Sequence, residues 1–376
     1  MSGSLALFRK VWRTQAWHCL GLATTLTAAF AGCRGDDRTA EQSGAVDVQL
    51  TELFSLEEPP AEPLGDFSSF LRWRDGWALA DVTNRTIVVF DTLGRRLGNM
   101  GRPGGGPGEF RGLGPITLEN ESTLVALDND LQRLSTWSLP QRAIVGAERP
   151  INAPNLPKAI LLRADGLLLG GIWPKDLQSL ALVEPVSNQE VRRGAKAPAL
   201  YQGSSFVAGS YGAVFVAPMG DSLLIGWQLV DSIQLLGPGL VPVRKFEVPV
   251  IRRRGTPPDL IQRGRDIGDV VGMTPHTSLL SRLGLLSGDR IGIVHADLLR
   301  EADGRGRTRG GSREVWLTVL NRSGEPLCVD LRIAARTQDI VRAHFDDGKL
   351  LIFRTSAEDG VTRVSSVTIP ETCLGT

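Results

Sequence analysis

Two stretches of this chain repeat one another at a fixed offset. Trp77-Ala-Leu-Ala-Asp81, followed by Thr86-Ile-Val-Val-Phe90, is answered by Leu124-Val-Ala-Leu-Asp128, followed by Arg133-Leu-Ser-Thr-Trp137. Asp128 follows Asp81, and Trp137 follows Phe90, by 47 residues. Each unit is a turn, an apolar strand ending in Asp, a polar link, and a strand closing on an aromatic. Weaker copies begin at Asp165-Gly166, Gly220-Asp221, Ser287-Gly288 and Asp347-Gly348. Asp75-Gly76 and the turn over Glu119 to Glu121 bring the number of turn-plus-strand cores to six. A period of about 40 to 70 residues signals stacked equivalent units, none able to bury its apolar faces alone.

Six such units predict one all-β domain, a six-bladed β-propeller, over residues 45–376. Gly (43 residues) and Pro (22) supply turns for many short strands. Asp75-Gly76, Ala80-Asp81, Asn84-Arg85, Val89-Phe90-Asp91 and Leu93-Gly94 resemble an NHL-type repeat. The run from Gly101 to Phe110 looks like the Gly-rich blade connection of six-bladed propeller lipoproteins. It is not a phosphate loop, because Glu109-Phe110 stands where Lys-Ser or Lys-Thr and a helix start are needed. The last unit ends at Pro370, one strand short. Val46-Asp47-Val48-Gln49-Leu50 alternates apolar and polar, and is expected to supply that strand and close the ring.

Ahead of the repeats, Arg9, Lys10 and Arg13 precede an uncharged stretch from Ala16 to Ala31. About 15 apolar residues are short for a bilayer span and suit a secretory signal. The stretch ends in Phe30-Ala31-Gly32-Cys33, which resembles a bacterial lipobox, with Phe30 in place of the usual Leu. The resemblance implies a signal peptide over 1–32, acylation at Cys33, and a flexible tether over 33–44. Attachment then draws on about 0.8 kcal/mol per buried CH₂. Arg34, rather than Asp, after the Cys favours the outer membrane among envelope locations.

Of the remaining cysteines, Cys19 falls in the signal, leaving Cys328 and Cys373. In an oxidising compartment these two can pair, adding about 4 kcal/mol on the chain-entropy model; the alternative is two reduced thiols. Lys plus Arg (42) nearly balance Asp plus Glu (41), which removes the electrostatic footprint of a nucleic-acid binder. Two insertions carry local positive charge. One spans Ile251 to about Thr277, with Arg252, Arg253 and Arg254, and a helical turn is expected at Asp259 to Arg263. The other, Asp297 to Arg313, holds Arg300, Arg305, Arg307 and Arg309, and reads as a mobile loop. If they met, Arg252, Arg253, Arg254, Arg305, Arg307 and Arg309 would form a contact patch for an envelope protein, a glycan or a small ligand.

No catalytic set stands out, and no metal or cofactor is implied. Propeller lactonases, an analogous enzyme type, converge Glu, Asn and Asp on calcium at the channel mouth. Here only Asp81 and Asp128, with Asn84 and Asn129, repeat, while Gly171, Gln228 and Ala296 occupy the corresponding places later. The two acids are expected to bind turn amides. His276, His295 and His344 lack metal-ligand spacing, and Trp77, Trp137, Trp173, Trp227 and Trp316 read as core fillers. The expectation is an envelope-anchored binding or scaffolding module. The alternative is a periplasmic metal-dependent hydrolase, marked by several carboxylates at one channel mouth.

Overall fold

Consecutive apolar residues make the second strand of each unit, because both faces of that strand are covered. In Gly76–Asp81 every residue is buried. Trp77 and Leu79 pack to one side, and Ala78 and Ala80 to the other. The same parity holds in Thr123–Asp128, where Leu124 and Ala126 face the first blade while Val125 and Leu127 face the third. The period-2 alternation of a strand therefore sorts residues between two neighbours rather than between core and water.

The structure, a computed structural model, describes residues 46–151, 155–173, 175–184, 187, 189–202, 205–257, 276–302 and 308–373. The expected signal peptide, Cys33, the tether and the helical turn at 259–263 lie outside these residues. The described chain is an all-β, six-bladed propeller of antiparallel sheets. Blade 1 comprises Phe67–Trp73, Gly76–Asp81, Thr86–Asp91 and Arg96–Met100. Blade 2 comprises Leu113–Asn120, Thr123–Asp128 and Arg133–Ser138, edged by Ala143–Ile144 and Arg149–Pro150. Blade 3 holds Asn155–Arg163, Gly166–Ile172, Gln178–Val183 and Glu190–Lys196, and blade 4 holds Val214–Met219, Ser222–Trp227, Ser232–Leu236 and Pro242–Glu247. Blade 5 holds Ser278–Leu286, Arg290–Ala302, Thr308–Leu320 and Pro326–Thr337, and blade 6 starts with Ile340–Asp346, Lys349–Thr355 and Thr362–Thr368. The Gly-rich run forms a two-strand parallel ladder, Arg102–Pro103 with Glu109–Phe110, between blades 1 and 2.

The fourth strand of the sixth sheet comes from the N-terminal side of the described chain, but it begins at Gln49, so only Gln49 and Leu50 of the expected 46–50 take part. Gln49–Ser55 pairs antiparallel with Thr362–Thr368. Residues 46–48 instead lie against the outer strand of blade 5. The Val48 N–H donates to the Arg332 carbonyl and the Arg332 N–H to that of Val46, each at 3.0 Å, while Asp47 pairs with the Arg332 guanidinium. Val48 is drawn there because its side chain is buried in the core between blades 5 and 6.

Two further differences from expectation concern connections. The Asp297 to Arg313 insertion is not a loop as a whole. Arg290–Ala302 and Thr308–Leu320 continue as a paired hairpin, with Leu298 opposite Arg313 and Ala302 opposite Thr308. Low apolar content misled here, since a hairpin arm with no inner strand beside it needs no core face. Between blades 3 and 4 stand two short helices, Ala199–Gln202 and Ser205–Tyr211, where no helix was expected. Buried Leu200, Tyr201 and Val207 cap the core between those blades, and the Tyr201 hydroxyl accepts the Leu229 N–H at 2.9 Å.

Candidate functional site

The inner strands of all six blades line a central cavity of about 350 Å³. Its wall is mostly apolar, with Leu71, Ile116, Leu161, Phe215 and Leu283 among the lining residues. Polar functions are few: Ser69, Thr117, Arg282, His344 and Asp347. Ser69 is engaged, its hydroxyl oxygen accepting the Ile116 N–H at 3.2 Å. Asp347 is an exposed turn residue, so it sits where the cavity meets solvent.

Arg282 reaches the cavity because blade 5's inner strand carries a β-bulge. Leu280 pairs with His295 and Arg282 with Val294, leaving Ser281 as the extra residue. A bulge of this kind re-aims the side chains that follow it. The residue is half-buried in the cavity wall, and burial pulls its pKa below the ordinary arginine range. Burial, with Arg282 close by, pulls the His344 imidazole down to about 3, so it is neutral at physiological pH. Its Nδ1 has no hydrogen-bond partner among the described residues. The Phe70 ring stands edge-on to it, centroids 5.9 Å apart. Neither Arg282 nor its surroundings stood out in the sequence; the available signal was one Arg inside the otherwise apolar SLLSRLGLL strand.

The arginines singled out in the sequence are placed differently. Arg253 is not a surface contact residue, for its side chain is fully buried and ion-paired with Asp231 and Asp330. The Asp330 carboxylate also accepts the N–H groups of Ile251 and Arg252 at 2.7 Å and of Arg253 at 3.2 Å. The segment is thus clamped against the outer strand of blade 5. Arg252 donates to the Val329 carbonyl and Arg254 to that of Leu298, each at 3.2 Å. Arg309 lies on the hairpin arm opposite Glu301, and Arg305 and Arg307 lie outside the described residues. Among the described residues, then, this arginine run is built into the blade 4–5 junction.

The repeated acids organise loops. Asp81 accepts from the Gly65 N–H, the Asn84 N–H and the Asn84 side-chain amide. Asp128 accepts from the N–H groups of Arg111, Gly112, Asp130 and Leu131. Blade 5 carries a third such acid. Asp297, not Ala296, stands opposite the start of the inner strand, and takes the Ser278 hydroxyl and the Arg254 N–H. The paired strand runs eight residues from Arg290 to Asp297, against six from Gly76 to Asp81, which moves the acid one place beyond Ala296. Among the described residues no group of three or more His, Cys, Asp or Glu side chains converges. His276 is exposed, whereas His295 is buried and held well below its usual pKa, first by burial and then by Arg253. All five tryptophans named above are buried. Cys328 and Cys373 are joined, tying the turn after blade 6 to the outer strand of blade 5.

Neither a known protein family nor a curated protein matches the chain. Solved structures do. One is a Bacteroides fragilis protein named for its expected export, with TM-score 0.59 and 11% identity, covering 86% of this chain and 96% of that one. Another is a member of the DUF4221 family from Bacteroides vulgatus, also at TM-score 0.59 and 11% identity, covering 87% and 99%. At this identity the likeness shows the fold alone.

Two outcomes are expected from this geometry. Asp330→Ala leaves the Arg253 guanidinium buried with one counter-ion fewer and three backbone donors unmet. It should cost about 3–5 kcal/mol, read as a fall in the urea midpoint; a midpoint within error of the parent would contradict the clamp. His344 is neutral when folded but takes a proton below about pH 6.5 when unfolded. Its contribution is therefore complete above that pH and is lost as pH falls towards 3, about 2 kcal/mol of it between pH 7 and 5. His344→Leu should flatten the stability-versus-pH slope by that amount, and an unchanged slope would exclude a buried neutral imidazole.

Proposed function

We propose that this chain is an exported, envelope-anchored binding module whose ligand seat is the central channel. The lining of that channel carries the proposal. It is an apolar, partly enclosed space of about 350 Å³, within the usual size range of small-molecule sites, with a few polar groups able to orient a ligand. A hydrolase of the lactonase type calls for several carboxylates there, and Asp347 is the one carboxylate among the described lining residues. Rigidity suits the role, since inner strands fixed by packing on both faces hold a pre-formed site and reduce the ordering cost of binding.

Anchoring rests on the lipobox-like Phe30 to Cys33. The exported character in the name of the Bacteroides fragilis neighbour is consistent with export of this chain. The outer membrane is the proposed destination, given Arg34 after the Cys. An envelope protein or a glycan is the larger partner in this reading, on the exposed faces, with the channel serving a small ligand.

Ala159 lines the channel and is only half-buried, so a larger side chain there enters the cavity without displacing the core. In a thermal-shift screen with small aromatic and aliphatic acids, amides and sugars, the parent protein should be stabilised by some members. Ala159→Phe should lose that response while keeping the parent's own midpoint. A parent that responds to nothing, or a variant that responds equally, rules out the channel as the seat. For the anchor, Cys33→Ser should move the protein from the membrane to the soluble fraction of bacterial cells. Retention of the variant in membranes would exclude Cys33 as the point of attachment.

A further inference from the structure

We propose that the channel binds a small organic monoanion, a carboxylate on an apolar body, whose charged end pairs with the Arg282 guanidinium. This deepens the channel reading above and rests on it.

Three observations carry the proposal. Arg282 makes no hydrogen bond or ion pair with any described residue, whereas Arg253 has Asp231 and Asp330, and Arg342 has Asp66. It is half-buried and lines the cavity, at a position set by a bulge in its strand. A cation removed from bulk water without a counter-ion is unfavourable, and an anion entering the cavity would supply the missing charge. The planar guanidinium offers a carboxylate two parallel N–H donors, the geometry in which this pair is strongest.

The rest of the lining fixes the class. Leu71, Ile116, Leu161 and Leu283 present hydrocarbon, which favours an organic body over an inorganic ion. Beside Arg282 the wall holds His344, which is neutral, and the carboxylate of Asp347. With one guanidinium and one carboxylate in the same wall, a second negative charge on the ligand would be repelled.

The test uses 4-phenylbutyrate and its uncharged analogue 4-phenylbutyramide, titrated calorimetrically into the purified full-length protein. The acid should bind about tenfold or more tightly than the amide, the usual advantage of a charge-assisted pair. Arg282→Met should abolish this preference by weakening the acid alone, and Arg282→Lys should retain part of it. Equal binding of acid and amide by the parent, or unchanged acid binding by Arg282→Met, overturns the anion class and leaves the channel reading standing. Binding of neither probe to the folded parent overturns both. If Arg282→Met fails to fold, the parent's acid-to-amide ratio and the Arg282→Lys variant decide the matter.

Discussion

Every blade of the described chain hides both of its faces, and each face is hidden by the next blade. Six buried clusters lie one in each junction between successive blades, including that between blade 6 and blade 1. In that last junction Phe70 meets Phe353 with ring centroids 3.9 Å apart, and Phe67, Trp77 and Leu351 complete the contact. Burying each Val, Leu, Ile or Phe contributes about 1.5–3 kcal/mol, so each junction is a core in its own right. No blade has this core alone. The radial arrangement follows from that, and with it the central space bounded by six inner strands.

Polar clamps hold the outside where packing thins. Asp330, with φ +51°, gathers three successive N–H groups and the Arg253 guanidinium at the blade 4–5 junction. The Cys328–Cys373 link fastens the end of the described chain to blade 5. Arg332 receives residues 46–48 on the same blade. Blade 5 is therefore where the incoming and outgoing ends of the described chain are both secured. The same blade carries the bulge that delivers Arg282 to the channel. Firm support on its outer side leaves its inner strand able to hold a cation among hydrocarbon neighbours.

Much of the fold was legible because apolar runs after turns are what doubly covered strands require. Trp77 to Asp81 and Leu124 to Asp128 show it letter by letter, and the weaker units show it in rhythm. What stayed hidden depended on register and on distant partners. Asp297 escaped notice because its strand is two residues longer from the hairpin turn to the acid than Gly76–Asp81. Arg253 looked like a surface charge because its counter-ions, Asp231 and Asp330, lie 22 and 77 residues away. Arg282 looked unremarkable for the opposite reason: its significance comes from the lack of a described partner, which only coordinates reveal. The helices at 199–211 are short, and they exist to roof a junction rather than through any pattern of their own.

A ring of similar blades has no inherent front. The arm formed by Arg290–Ala302 and Thr308–Leu320 gives it one. Past Asp297 the arm has lost its inner strand, yet the pairing runs on to Ala302. At about 3.3 Å per residue that overhang extends roughly 15 Å. It rises on the side opposite the turn bearing Asp347, so the two faces of the ring differ in relief at blade 5.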